Sequence, residues 1–178
     1  NTIAKVPGTI YLTASSLKMK TGQSTTAFKA TGFSEGDYVT AITSSKPGTV
    51  KVTNVNKNGT FKLTAGKKKG SAVVTVTLAS TKTASFKVTV QKAAVKTTKI
   101  TTTTKSLTLA KGATYKKLAS SITVTPVTSK EKVTYSSSNK KVATVSSKGV
   151  IKAKKPGKAK ITVKSGKKKD TVTDTVTK

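Results

Sequence analysis

The sequence predicts an all-β chain, built as two tandem β-sandwich domains in an elongated arrangement. Three observations carry this. Apolar residues alternate with polar ones at a period of two over short runs, with no helical period anywhere. The runs are punctuated by Gly, Pro and Asn turns. An upstream stretch also repeats a downstream one about one domain length away, which divides the 178 residues into two copies. Composition agrees: Thr, Val and Ser are abundant, hydrophobic residues are 34% and aromatics only 4%, a balance suited to strands of β-branched residues. Copies of roughly 85–90 residues each bury one modest core.

In chain order, residues 1–7 (NTIAKVP) read as a linker or the end of a preceding unit, and the first domain is placed at 8–91. TIYLTASSLKMKTG (9–22) aligns without a gap on KITTTTKSLTLAKG (99–112), matching Leu17 to Leu107, Met19 to Leu109 and Gly22 to Gly112. Each stretch is expected to form one strand with a buried face. STTAFKATGF follows as a second strand, with Ala27, Phe28 and Phe33 inward. YVTAITSSKPGTVKV carries Val39 and breaks at Lys46-Pro47-Gly48. Asn58-Gly59 signals a two-residue hairpin, after which Phe61 and Leu63 point inward. SAVVTVTL and ASFKVTV close the domain near Gln91.

Residues 92–99 (KAAVKTTK) hold no Gly or Pro and little apolar pattern, so they are placed as a short linker before a second domain at 100–178. There YKKLASSITVTPV is the second strand, KVTYSSSN puts Val133 and Tyr135 on one face, and Val142 and Val145 share a short strand. After a turn at Lys148-Gly149, VIKA places Ile151 and Ala153 where Phe61 and Leu63 stand in the first copy. Ile161 and Val163 then match Val74 and Val76. In the last strand, DTVTDTVTK, Asp174 falls on the face of Val172 and Val176. Either a bulge resets the register there, or the strand is an edge whose inward charge discourages pairing. Seven or so short strands per copy make an immunoglobulin-like sandwich.

The second copy resembles the group 2 bacterial immunoglobulin-like (Big) domain family. The residues that carry this are Val133-Thr134-Tyr135, Ser137-Ser138-Asn139, Val142-Ala143-Thr144-Val145, Gly149, Ile151 with Ala153, Gly157 and Ile161-Thr162-Val163. The first copy departs from the motif. Ser44-Ser45 precede Lys46-Pro47 with no Asn, Val50 and Val52 stand for the Val-Ala-Thr-Val run, and no Tyr or Trp precedes the serines. The resemblance implies an extracellular or surface-attached module of a Gram-positive bacterium, similar to those of intimins, invasins and surface enzymes. There such domains act as spacers or adhesion modules, and they share no catalytic or ligand residue.

The chemistry available is narrow. His and Cys are absent, and Glu35, Asp37, Glu131, Asp170 and Asp174 are the only carboxylates, so the chain is read as non-catalytic, with no cofactor. Ser34, Glu35 and Asp37 offer oxygens to a calcium ion, but a competent site needs more ligands and the loop reads as a solvated turn. No metal site is assigned, and no buried acid is picked out that would promote a Lys-Asn crosslink.

The formal charge of +30 comes from 35 basic residues, every one of them Lys. Candidate polyanion contacts are the runs Lys67-Lys68-Lys69, Lys154-Lys155 with Lys158, and Lys167-Lys168-Lys169. In a simple alternation of strands the two sets in the second copy lie at opposite ends. The runs admit two readings: a solubilising surface, or attachment to an anionic cell-wall polymer or acidic polysaccharide, weakened by salt. Nucleic acid ranks lower, because Arg is missing and few rings could stack. A carbohydrate-binding or adhesin module is the alternative function, though the chain has no Trp to form a sugar platform. The opening NTIAKVPGTI lacks an initiator Met and an apolar leader, and no run of membrane-spanning length follows. The chain is therefore read as a monomeric piece of a longer secreted protein, without membrane insertion.

Overall fold

Alternating apolar residues decide which face of each strand is buried. In the computed structural model, which describes residues 9–178, they assemble two units that divide between Val95 and Lys96. The tail or linker expected at 1–7 lies outside the described residues.

In the first unit the strands are β1 (Tyr11–Leu12), β2 (Ser16–Lys20), β3 (Ser24–Thr25), β4 (Ala30–Thr31), β5 (Val39–Ser44), β6 (Val50–Thr53), β7 (Lys62–Ala65), β8 (Gly70–Leu78) and β9 (Thr83–Gln91). One sheet runs β2-β9-β8-β5, with β2 parallel to β9, and the other runs β3-β7-β6. Leu17, Met19, Val74, Val76, Phe86, Val88 and Val90 from the first sheet and Val50, Leu63 and Ala65 from the second are all buried, so the apolar faces meet as a sandwich.

The second unit repeats this plan. Its strands are β10 (Lys99–Thr102), β11 (Ser106–Ala110), β12 (Thr114–Tyr115), β13 (Ile122–Thr125), β14 (Val133–Ser137), β15 (Ala143–Val145), β16 (Ile151–Ala153), β17 (Gly157–Ser165) and β18 (Lys168–Thr177). The sheets are β11-β18-β17-β14 and β12-β16-β15, with β10 paired to β13. The two units share one register: Val74 faces Phe86 as Ile161 faces Val172, and Gly70 faces Val90 as Gly157 faces Val176.

Several expectations need correction. The stretches 9–22 and 99–112 each form two strands, because the chain crosses between sheets at residues 13–15 and 103–105. β1 then pairs with β4 and β10 with β13, while β2 and β11 join the four-stranded sheets. Ala27 is exposed, and Ala30 takes the buried place beside Phe28. Asn58-Gly59 does not make a two-residue hairpin, since β6 and β7 are joined by residues 54–61. Asn56 and Asn58 instead organise a wider loop: the Asn56 N–H donates to the Thr60 carbonyl (2.9 Å), and Asn58 Oδ1 accepts from the Thr60 N–H (3.1 Å). A 3₁₀ turn at Ala119–Ser121 interrupts the predicted second strand and swings Leu118 fully into the core.

Ile151 and Ala153 stand two residues from where the alignment put them. Thr25 pairs Leu63 as Tyr115 pairs Ile151, so Ile151 matches Leu63 and Ala153 matches Ala65. Residues 96–99 of the expected linker belong to the second unit. Thr97 is buried there, its N–H donates to Glu131 Oε2 (2.7 Å), and its hydroxyl bonds Ser129 and Ser165. Finally, neither account of Asp174 holds. The β17–β18 ladder runs from Gly157 to Lys168 without a bulge, and β18 is an interior strand between β11 and β17.

Candidate polyanion-binding surface

The predicted lysine runs take three places. Lys67, Lys68 and Lys69 fill the β7–β8 connection, and Lys154 and Lys155 fill the corresponding β16–β17 connection. Lys167 sits in the β17–β18 turn, with Lys168 and Lys169 opening β18. The last two groups occupy opposite ends of nine-residue β17, about 26 Å apart at ~3.3 Å per residue, so they do not form one focus. Lys158 belongs to neither tip. It lies on β17 itself, facing out, in line with Lys160 and Lys164, which are not consecutive in sequence and so form no basic run. The signal was present in KAKITVK (158–164), where lysine alternates with core residues.

The acids of the second unit are all engaged or buried. Glu131 accepts from the Thr97 N–H and pairs with Lys96 at 3.5 Å. That backbone hydrogen bond first, and then the Lys96 charge, hold its carboxyl below the usual range. Asp170 is held low by a hydrogen bond from Lys105 and by the Thr102 N–H at 2.9 Å. Asp174 is fully buried, and no protein group among the described residues donates to either oxygen. Burial pushes its carboxyl up. In the first unit, the carboxylate weighed as a calcium ligand has a bracing role: Asp37 Oδ1 accepts from the N–H groups of Tyr38 and Ser80, both at 3.0 Å, and ties its loop to the β8–β9 turn.

Around β14 the serines and glycines form one interlocking corner. The Ser137 hydroxyl donates to the Ala143 carbonyl (2.7 Å), and Ser138 Oγ accepts from the Lys160 N–H (2.8 Å). Asn139 Oδ1 accepts from the Lys141 N–H (3.1 Å), while its carbonyl takes the N–H groups of Val142 and Ala143. Gly149, at φ 78, lies under Tyr135: a Cβ there would stand 2.9 Å from the ring carbon Cζ. Gly157 is set the same way against Val142 Cγ2, at 3.0 Å. Residues 96–176 match the bacterial Ig-like domain (group 2).

The residues that carry this match thus have structural work, and the first unit repeats it with different side chains. Ser45 Oγ accepts from the Val73 N–H (2.9 Å) as Ser138 does from Lys160, and the Lys46 carbonyl takes Thr49 and Val50 as Asn139 takes Val142 and Ala143. The missing Tyr is explained by packing. Two residues before Leu63 stands buried Phe61; two before Ile151 stands Gly149, whose space the Tyr135 ring covers. The ring comes from the loop residue just ahead of β7 in the first unit and from β14 in the second.

Gly149→Ala should therefore cost about 2 kcal/mol, from the positive φ and the ring contact together. Gly112→Ala, at φ 87 with nothing within 4 Å, should show the backbone cost alone, about 1 kcal/mol. Equal losses in denaturant melts of the two variants would mean that the Tyr135 contact contributes nothing.

No curated protein matches the chain. Among solved structures, the bacterial Ig-like domain-containing GH10 xylanase from termite gut is 23% identical at TM-score 0.35, over 40% of this chain; the alignment spans 18% of the xylanase chain. Domains 5–6 of the S-layer protein SbsC are 20% identical at TM-score 0.42, covering 94% of this chain and 96% of that one. Protocadherin gamma C5 EC1-3 is 11% identical at TM-score 0.38, covering 95% and 68%.

Proposed function

We propose that the chain is a non-catalytic extracellular module of a bacterial surface or secreted protein: a pair of Big-type units that spaces or anchors, and that charge holds to anionic wall polymers or acidic glycans. The observation that carries this is the uncompensated charge of the second unit. Residues 96–178 hold 21 lysines and three acids, and each acid is paired, hydrogen-bonded or buried. Surplus charge of this size attracts a polyanion through a diffuse field, and lysine suits that role because it is a strongly hydrated point charge.

The reading predicts binding to immobilised poly(glycerol phosphate) or polygalacturonate at low ionic strength. It also predicts loss of binding as the Debye length shrinks from ~30 Å at 0.01 M salt to ~3 Å at 1 M. Absence of binding at low salt would sink electrostatic attachment. Retention that survives high salt and selects among neutral sugars would favour a carbohydrate-binding module instead. That alternative has little surface to use: the exposed large hydrophobic residues among those described are Tyr11, Tyr38, Val55 and Val73, all in the first unit. The cleft of about 290 Å³ between β14 and β15 holds one ring, Tyr135, which packs on Gly149.

A further inference from the structure

We propose that the outer face of the β11-β18-β17-β14 sheet is the surface that takes the polyanion, and that its partner is an extended, single-chain polyol phosphate. This rests on the electrostatic reading above and replaces the loop tips with a defined face. Strand parity builds it. Ala159, Ile161 and Val163 fill the core, so Lys158, Lys160 and Lys164 point out, and Lys169 of β18 lies directly across from Lys164. All four are exposed.

Their cross-strand neighbours on this face are hydroxyls. Lys158 faces Thr175, Lys160 faces Thr173, and Thr162 faces Thr171. No carboxylate shares the face, because Asp170 and Asp174 have the opposite parity on β18 and Glu131 lies outside the sheet.

The fold does not require these lysines. The first unit has the same register, and the equivalent outward positions hold Ser71, Val73, Thr77 and Thr83. The first unit carries its outward lysines elsewhere on this face, Lys18 and Lys20 on β2 and Lys87 on β9, whereas the second unit has placed them along one strand. Alternate residues on a strand are about 6.7 Å apart and neighbouring strands about 4.8 Å, so the ammonium groups form a row rather than a cup. A row fits a linear polymer with charges at intervals and not one compact anion.

The chemistry narrows the polymer. Ammonium groups engage phosphate as point charges, and Thr hydroxyls donate to its free oxygens. Two-pronged recognition of either carboxylate or phosphate calls for guanidinium groups, which the chain lacks, so the face works through point charges, the way lysine serves phosphate. A single flexible chain lies along a sheet face, whereas a stiff duplex touches a flat face along a narrow line.

The test uses the full chain and poly(glycerol phosphate) as probe at low salt. One variant carries Lys→Gln at Lys158, Lys160, Lys164 and Lys169; the control carries Lys→Gln at the exposed loop residues Lys116, Lys117, Lys130 and Lys148. A third variant takes the first unit's residues, Lys158→Ser, Lys160→Val, Lys164→Thr and Lys169→Thr. It guards against a folding loss in the first, and thermal melts are recorded for all. The face variants are expected to bind at least about tenfold more weakly, with a salt slope shallower by about three, while the control falls about twofold. Equal losses in face and control variants overturn the face and leave diffuse attachment standing. No binding by the unaltered chain overturns the attachment reading and the face together. Equal binding to polygalacturonate, or tighter binding to duplex DNA, overturns the choice of partner.

Discussion

Replacing Asp174 with valine is expected to stabilise the second unit at neutral pH by about 2–4 kcal/mol. The first unit shows why valine is the natural occupant. Val88 stands there, fully buried, facing Leu17 on β2 and Ala72 on β8; Asp174 faces Leu107 and Ala159 in the same geometry. Its carboxyl is therefore set in an apolar niche with no donor from the described residues. Burying an ionised or unsatisfied carboxyl costs several times what a surface ion pair contributes. Asp174→Asn separates the two parts of the cost: it removes the ionisation and keeps an unpaired polar group. A valine variant no more stable than the asparagine variant would show that the niche supplies a donor.

The same residue sets a pH trend of unusual sign for a carboxylate. Burial raises its folded value above the ordinary 3.8, so the folded unit binds the proton more tightly than the unfolded chain. Its contribution is fully present below the unfolded value and is lost as pH rises through the raised folded value. Glu131 and Asp170 act oppositely. Both are held low, so their contributions are present above the unfolded values and are lost as pH falls through the folded ones. Subtracting a melting series of Asp174→Val from that of the unaltered chain isolates the Asp174 slope, which should fall with rising pH.

What could be read in advance follows from what period-two alternation encodes. It states which residues share a face, so the buried sets Leu17 with Met19 and Ile161 with Val163 were legible. It does not state which sheet a face belongs to. Segment 99–106 is entirely polar or β-branched and 9–16 departs from that only at Tyr11, Leu12 and Ala14, so nothing in them announces the crossing that splits each into two strands. Asn58-Gly59 misled because turn chemistry is local, while loop length is set by where β6 and β7 pair. Alternation also puts Asp174 on the core face; the cost of burying a charge points to a bulge or an edge, and the ladder contains neither. On the surface, consecutive lysines attracted notice at the loop tips, whereas the lysines of β17 are separated by core residues and form a row only in three dimensions.

Phe86→Ala is expected to remove about 3–5 kcal/mol from the first unit, a large share of the about 4–13 kcal/mol that ~0.05–0.15 kcal/mol per residue gives a domain this size. Phe86 stacks on Phe28 with centroids 4.1 Å apart, and Phe61 lies 6.3 Å from each. These three rings are buried to within 2% exposure. Truncation leaves a cavity that β-branched neighbours on rigid strands cannot close. The second unit places Val172 at this register, so Val172→Ala should cost less, about 1–2.5 kcal/mol. Phe86→Leu keeps most of the volume and should cost about 1 kcal/mol. Limited proteolysis of the full chain reads the outcome: Phe86→Ala should be cut within residues 9–91 under conditions where Phe86→Leu and Val172→Ala resist. If Phe86→Ala resisted as well, the aromatic cluster would be filling space that the valines and leucines around it already hold together.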